Sequence, residues 1–514
     1  VSRDTFLQMS RVERRKELFE RSLMQRAEIF SIVGKYKESI RDFRKVEGFS
    51  KNPETVINAS LGRARLYGII GGKSKSEYCL KYALRIANKR KLELKKAEIL
   101  NALSGKSFDE AKCDTALDYA TKAIKLLKKV QGNRIQKKKA IAESLDNIGG
   151  IYSRIGKRTK ALEFHKKSLS VKNSLNDKEG MAVSLNNIGM AFESLQRFSN
   201  ALNYLKGSLK LRRETGYIQG SALCLNNIAV VYWKQGRFTE AIEFWEESLK
   251  IQRKLGNKSG IAINLNNLAI IYRIHGRFTE SLKLHRESFK IRNEIGDKFG
   301  MTINLNQMGM IYALRGDYKN ALLLNEKEGR LCKEIKNEPR LMNYYALKAY
   351  ILNARKRCAE SYELYKKALV ISQKYDILSD KIRFLRELAQ VIIDSETAGK
   401  KPLFPLKKAK NLIKNSGALM KKEERKFEYC RILVCDSRLN CVTENYKKAL
   451  RYIEEAEKLA ETIEFNEYLP EIYFQKSAIL GHLKKVFESE EYRNKAGRAS
   501  RKMGLKSLLK KTGK

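Results

Sequence analysis

Between Ala140 and Pro339 the sequence repeats itself five times with a period of 40 residues, and no other property restricts its fold so tightly. The openings align as SLDNIGGIY (Ser144 to Tyr152), SLNNIGMAF (Ser184 to Phe192), CLNNIAVVY (Cys224 to Tyr232), NLNNLAIIY (Asn264 to Tyr272) and NLNQMGMIY (Asn304 to Tyr312). Each unit holds two apolar stretches at helical spacing, separated by a turn. A unit of this size cannot bury its apolar faces alone and must stack on its neighbours. The pattern predicts an all-α, right-handed α-solenoid of antiparallel helix pairs.

The unit from Ser221 to Gly260 gives the physical reading. Leu225, Ile228, Ala229 and Tyr232 supply the buried stripe of a first helix. Gly236 lies just past its end, where a left-handed residue needs no Cβ. Thr239 is expected to cap the second helix, which buries Ala241, Phe244, Trp245, Ser248, Leu249 and Ile251. Small Ala241 and Ser248 let the two helices approach closely.

These residues resemble the tetratricopeptide repeat family. Its first-helix pattern is matched by Leu145, Ile148-Gly149 and Tyr152, and by Leu185, Ile188-Gly189 and Phe192. Its inter-helix glycine is matched by Gly156, Gly236, Gly276 and Gly316, and its small second-helix residue by Ala161, Ala201, Ala241, Ser281 and Ala321. The unit is 40 residues instead of the family's 34, and a Gly-rich G-N-K-x-G type of closing replaces the family's proline. That variety resembles the repeats of spindle-orientation adaptors, kinesin light chains and bacterial regulator sensors.

Outside the regular array the pattern weakens. Residues 1–133 read as degenerate helix pairs, around Gly34 and Gly71 and over Lys95 to Lys128, the last with an insertion near Ser104 to Cys113. Residues 134–339 hold the regular array. Residues 340–514 read as degenerate pairs again, with an irregular unit at Pro402 and Pro405 and a basic terminal cap. About eleven pairs are expected by this repeat logic.

The net charge of +47 attracts polyanions, although its cations are spread along the chain, with dense runs at Lys137 to Lys139 and Arg498 to Lys514. No run is long and apolar enough for a transmembrane helix. The 8 cysteines form no C-x-x-C pair, and the 4 histidines fit no zinc spacing, so no metal or cofactor is expected and a reducing cytoplasm fits. Motifs for nucleotide, zinc-protease or serine-hydrolase chemistry are absent. Gly71-Gly72-Lys73-Ser74 lacks the upstream glycine of a phosphate loop and reads as a turn. No enzyme is expected.

One polar pattern stands out. Asn147, Asn187, Asn227, Asn267 and Gln307 recur before the Leu/Ile/Met-Gly/Ala step, each preceded by Asp146, Asn186, Asn226, Asn266 or Asn306. Asn is a mediocre helix former, so its retention mid-helix implies a use. One use is structural, a ladder of amides linking successive repeats. The other is ligand binding, because the resemblance places this position on a concave groove where amides can hold an extended peptide backbone. Both remain open. Met190, Val230, Ile270 and Met310 lie one turn on, and Arg154, Lys234 and Arg273 one turn further, which suits a partner segment with apolar anchors and acidic residues.

Three function classes follow. The first is a scaffold that binds a peptide or protein segment. The second is the sensor arm of a larger signalling protein whose kinase, ATPase or cyclase part precedes Val1. The third, a basic nucleic-acid-associated solenoid, comes last because the regular aromatic platform of a single-strand binder is missing.

Overall fold

The computed structural model of the chain describes residues 3–32, 35–70, 72–110, 112–131, 133–397, 403–420, 426–506 and 508–509. Gly34, Gly71, Pro402 and the end of the basic tail from residue 510 lie outside them. Among the described residues there are 24 α-helices and no strand. The chain divides into two compact units, Val1–Asn264 and Leu265–Lys514.

The first unit holds α1 (Arg3–Ile32), α2 (Tyr36–Phe49), α3 (Pro53–Ile69), α4 (Lys73–Lys89), α5 (Glu93–Asp109), α6 (Cys113–Lys129), α7 (Arg134–Arg154), α8 (Arg158–Asn173), α9 (Lys178–Ser194), α10 (Phe198–Glu214), α11 (Ile218–Lys234) and α12 (Phe238–Lys254). The helix α13 (Lys258–Ile274) begins in the first unit and ends in the second. There follow α14 (Phe278–Ile295), α15 (Lys298–Leu314), α16 (Tyr318–Glu334), α17 (Glu338–Ala354), α18 (Cys358–Lys374), α19 (Leu378–Thr397), α20 (Leu406–Met420), α21 (Lys426–Val442), α22 (Tyr446–Thr462), α23 (Leu469–His482) and α24 (Val486–Met503). Odd helices are the first (A) members of pairs and even helices the second (B).

The turn inside each regular pair is built on a left-handed residue. Gly156, Gly236, Gly276 and Gly316 have φ of 78°, 77°, 74° and 81°. Gln196 takes the same place at φ 58°, a conformation its Cβ disfavours. After Gly236, the Arg237 N–H returns to the Tyr232 carbonyl (3.0 Å). The helix α12 therefore starts at Phe238, Arg237 is its N-cap, and the expected cap Thr239 sits exposed inside the first turn. The Arg237 guanidinium instead stacks 4.6 Å from the Tyr232 ring, and Arg277 does the same over Tyr272.

The close crossing within a pair depends on a small B residue. Ala161, Ala201, Ala241, Ser281 and Ala321 are fully buried. Ser281 adds a hydrogen bond from Oγ to the Ala269 carbonyl (2.6 Å), across 12 residues. Ser39 to Ala27, Ser76 to Ala64 and Ser361 to Ala349 repeat that bond at the same spacing, so the degenerate pairs keep the same crossing. In the regular unit Leu225, Ile228, Ala229 and Tyr232 are buried as expected, with Trp245 and Leu249 opposite. Each large apolar side chain so buried contributes about 1.5–3 kcal/mol. On α12 the stripe ends on buried Gln252, and Ile251 is only half-buried.

Three details differ from the sequence reading. The helix α5 runs to Asp109 and α6 begins at Cys113, which leaves no room for an insertion: Ser104 is buried mid-helix and its Oγ donates to the Ala116 carbonyl (2.8 Å). The first pair starts at Arg3, well before Arg26, and the 24 helices make twelve pairs, one more than expected. Pro405 lies in the connection inside the α19–α20 pair. In each unit, A helices of successive pairs approach one another more closely than B helices do, which makes the A layer the inner face.

Candidate functional site

In the first unit the inner stripes of α7, α9 and α11 run in parallel, one helical turn per step. They read Glu143, Asn147, Gly150, Arg154; Val183, Asn187, Met190, Ser194; and Leu223, Asn227, Val230, Lys234. Met190 and Val230 are half-buried, whereas Val183 is 37% and Leu223 46% exposed. Ile263, at the same register, is 44% exposed at the end of this unit. Sequence reasoning missed this outermost apolar column, although it recurs every 40 residues, four positions before Asn187, Asn227 and Asn267.

The Asn pairs divide their labour. The first member of each pair bonds into the stack. Asp146 accepts from His165 Nδ1 (2.8 Å), Ser168 Oγ (2.9 Å) and Lys172 Nζ (2.6 Å), Asn226 Oδ1 accepts from Trp245 Nε1 (3.0 Å), and Asn306 Nδ2 donates to Glu328 Oε2 (2.9 Å). The second members face the inner side. Asn147 Nδ2 donates to the Asn101 carbonyl (3.2 Å) and Asn227 Nδ2 to Asn186 Oδ1 (2.9 Å), each reaching the preceding A helix. Asn187 is half-buried and, among the described residues, makes no side-chain hydrogen bond. In the second unit, Asn267 accepts from Asn266 Nδ2 (3.5 Å), Gln307 and Ile270 are half-buried, and Met310 packs against the Ala313–Leu347 cluster.

The three cations are engaged. Arg154 donates to the Phe108 carbonyl and lies 3.6 Å from the centre of the Phe108 ring. Lys234 pairs with buried Glu193 on the preceding A helix. Arg273 pairs with Glu467, whose side chain is 4% exposed. Only Arg154 enters its contact without a carboxylate partner.

Between each B helix and the next A helix runs a buried polar seam that sequence reasoning also missed. Ser168, Ser208, Ser248 and Ser288 are fully buried at 40-residue intervals, and Ser248 Oγ serves the Ala222 carbonyl (2.8 Å) while accepting from Asn264 (3.0 Å). Glu328 takes the fifth place. Burial pushes its carboxyl up to about 7, against the opposing pull of the Asn306 hydrogen bond and Arg340. Burial would also raise Asp146, but its bonds to His165 and Lys172 hold it below the ordinary carboxylate range. Buried His285 is pushed down to about 3 by desolvation, then by Arg273 and Arg292. His165 and His285 serve separate seams.

The A helices of the second unit carry charge where α9 and α11 carry amides and apolar groups. Arg386 meets Glu387 (2.9 Å) and Glu428 (3.4 Å), Arg431 meets Glu428 (3.1 Å) and Glu467 (3.4 Å), and Arg438 meets Glu471 and Asp394 (3.7 Å). The Glu467 N–H also donates to the Ile274 carbonyl (2.8 Å). This turn between α22 and α23 therefore clasps the end of α13. Met503 and Leu505 join Phe278, Leu282 and Met308 in an adjoining apolar cluster.

Among the described residues, no group of His, Cys, Asp and Glu could hold a metal ion, and no helix is long and apolar enough to cross a membrane. Residues 140–214, 221–294 and 261–334 match the family described as tetratricopeptide repeat. No curated protein sequence matches the chain significantly. Among solved structures, the apo quorum sensor NprR from B. thuringiensis is 15% identical, covering 72% of this chain and 100% of its own, with a TM-score of 0.50. Yeast Tom70 is 15% identical over 91% of this chain and 96% of its own, with a TM-score of 0.38. BtubC from P. vanneervenii is 20% identical over 44% and 91%, with a TM-score of 0.36. At such identities the likeness concerns fold alone. A 40-residue helix-pair unit, a left-handed residue inside each pair and a small B-helix residue at each crossing agree with that match, and residues 140–214 and 221–334 are tetratricopeptide repeats.

Proposed function

We propose that the inner face of α7, α9 and α11 binds an extended segment of a partner protein. Stacked helix pairs are binding surfaces by construction, and the observation that carries the reading is the exposed column Val183, Leu223 and Ile263 beside the amide ladder. Apolar side chains of the segment would rest on that column and on Met190 and Val230. Asn187 would bond its backbone, and Arg154 would favour an acidic residue at the α7 end. Ion-paired Lys234 adds little charge preference. The binding requires no catalytic group.

The test is a peptide-display selection on the full chain. Extended peptides should emerge whose affinity falls about 10-fold or more with Leu223→Glu or Val183→Glu, the loss expected for a large apolar contact of about 1.5–3 kcal/mol. Lys250→Glu, on the exposed face of α12, should leave them unchanged. Binders indifferent to both inner-face substitutions would overturn the reading.

A further inference from the structure

The turn between α6 and α7 is set apart by its charge. From Tyr119 to Ala142 the chain contains no Asp or Glu. Lys125, Lys128 and Lys129 end α6, while Arg134 and Lys139 lie in the first turns of α7, and all five are exposed. Among the described residues none of the five has a carboxylate within ion-pair reach. Some exposed cations elsewhere in this unit do, such as Lys81 with Glu77 (2.8 Å), Lys167 with Glu163 (2.5 Å) and Arg213 with Glu247 (2.8 Å). What sets the α6–α7 turn apart is five exposed cations in a stretch with no acidic residue at all.

Fold stability accounts for only part of this patch. Cations at the end of α6 suit its dipole, but Arg134 and its neighbours crowd the positive end of α7, whose first turn holds no acidic residue. At the tip, Ile135 is 59% exposed among these charges. No aromatic residue occurs from Ala120 to Ile151, so the patch lacks the stacking ring of a single-strand nucleic-acid site. An apolar tip ringed by unpaired cations is complementary to an anionic bilayer, which offers phosphates above and acyl chains below.

We propose that the α6–α7 turn docks the protein on an anionic lipid surface, with Ile135 entering the headgroup–acyl boundary and Lys128, Lys129, Arg134 and Lys139 facing the headgroups. The full chain should co-sediment with phosphatidylcholine vesicles containing about one-third phosphatidylserine at about 0.15 M salt, and not with phosphatidylcholine alone. Lys128→Gln, Lys129→Gln and Arg134→Gln together should cut partitioning about 100-fold, about 5-fold per cation, with an unchanged melting curve. The charge-matched set Lys283→Gln, Lys290→Gln and Lys366→Gln should cost only a few-fold. Ile135→Trp should tighten binding, because an indole favours the interface. Equal loss in the two triple variants would make the binding diffuse and overturn the proposal. So would absence of vesicle binding, or tighter binding of duplex DNA or RNA through these same residues.

Discussion

The two units share one helix-pair plan and use its inner face in opposite ways. On α9 and α11 the inner stripe is uncharged over most of its length, with apolar side chains partly open beside half-buried Asn187 and buried Asn227. On α19, α21 and the α22–α23 turn the corresponding surface is a chain of ion pairs from Glu387 through Arg386, Glu428 and Arg431 to Glu467, which also holds Arg273 of α13. A charge buried in such a network is hard to free, because exposing one partner strands the other. An uncharged amide and an exposed Leu lose little by exchanging water for a ligand. The same architecture therefore yields a receptive surface in one unit and a self-satisfied one in the other.

The largest effect should come from breaking the clasp. Glu467→Ala strands Arg273 and leaves Arg431 with Glu428 alone, both arginines being partly buried, and removal of one member of such a network costs about 3–5 kcal/mol. Hydrogen exchange on the full chain should show α13, α14 and the α22–α24 region losing protection together, while α7 to α11 stay unchanged. If protection of α13 survived, the contact between Glu467 and the end of α13 would be incidental and the contrast between units would lose its main support.

A pH change should separate the two seams. The buried Glu328 carboxyl sits at about 7 in the folded chain against an ordinary 4.5. The folded state thus holds its proton more tightly, so the stability contribution is complete below about 4.5 and is lost as pH rises through about 7. Asn306 on α15, Asn325 on its own helix, Arg340 on α17 and Arg383 on α19 face this group, and their opposing pull does not overcome burial. Asp146 has the opposite sign. Its folded value lies below 3.8, so its contribution is present above that and is lost as pH falls through the folded value. From about pH 8 to about pH 5.5, exchange from α15 to α17 should slow by an amount on the order of 2–3 kcal/mol, while α7 to α9 stays flat. Glu328→Gln should abolish the α15–α17 response; its persistence would assign the effect to another group.

How much of this was legible in the sequence depends on the range of each interaction. Contacts that repeat every 40 residues or close within one pair were readable, which is why the stripe of Leu225, Ile228 and Tyr232 and the crossing at Ala241 came out correctly. Thr239 misled because its type favours caps, whereas the cap position was fixed by the Gly236 turn and the Arg237–Tyr232 contact. Ser248 was read as a small packing residue, and its hydroxyl's place in the seam was missed, although the serines recur at every period. The column of Val183, Leu223 and Ile263 was passed over because an apolar residue at helical spacing on helix A carries no mark that separates the inner face from the buried stripe. Glu467 and Arg273 carry no local signal at all. They are 194 residues apart, and only the fold brings them together.

The smallest expected effect decides what the amide ladder is for. Asn227 and Asn187 occupy equivalent places on α11 and α9, but only Asn227 is tied to the preceding A helix, through Asn186. Asn227→Ala removes that bond and leaves the Asn186 oxygen poorly served, which costs about 1 kcal/mol of local stability. Asn187→Ala removes no bond of this kind and should leave melting within about 0.5 kcal/mol of the parent. If the inner face holds a peptide backbone, the ranking inverts for binding. Asn187→Ala then weakens a selected peptide a few-fold, as a lost bond of about 0.5–1.5 kcal/mol requires, with no change in melting. Loss of stability at both positions in equal measure, with peptide affinity untouched at Asn187, would make the whole ladder a device of the stack and confine any ligand to the apolar column.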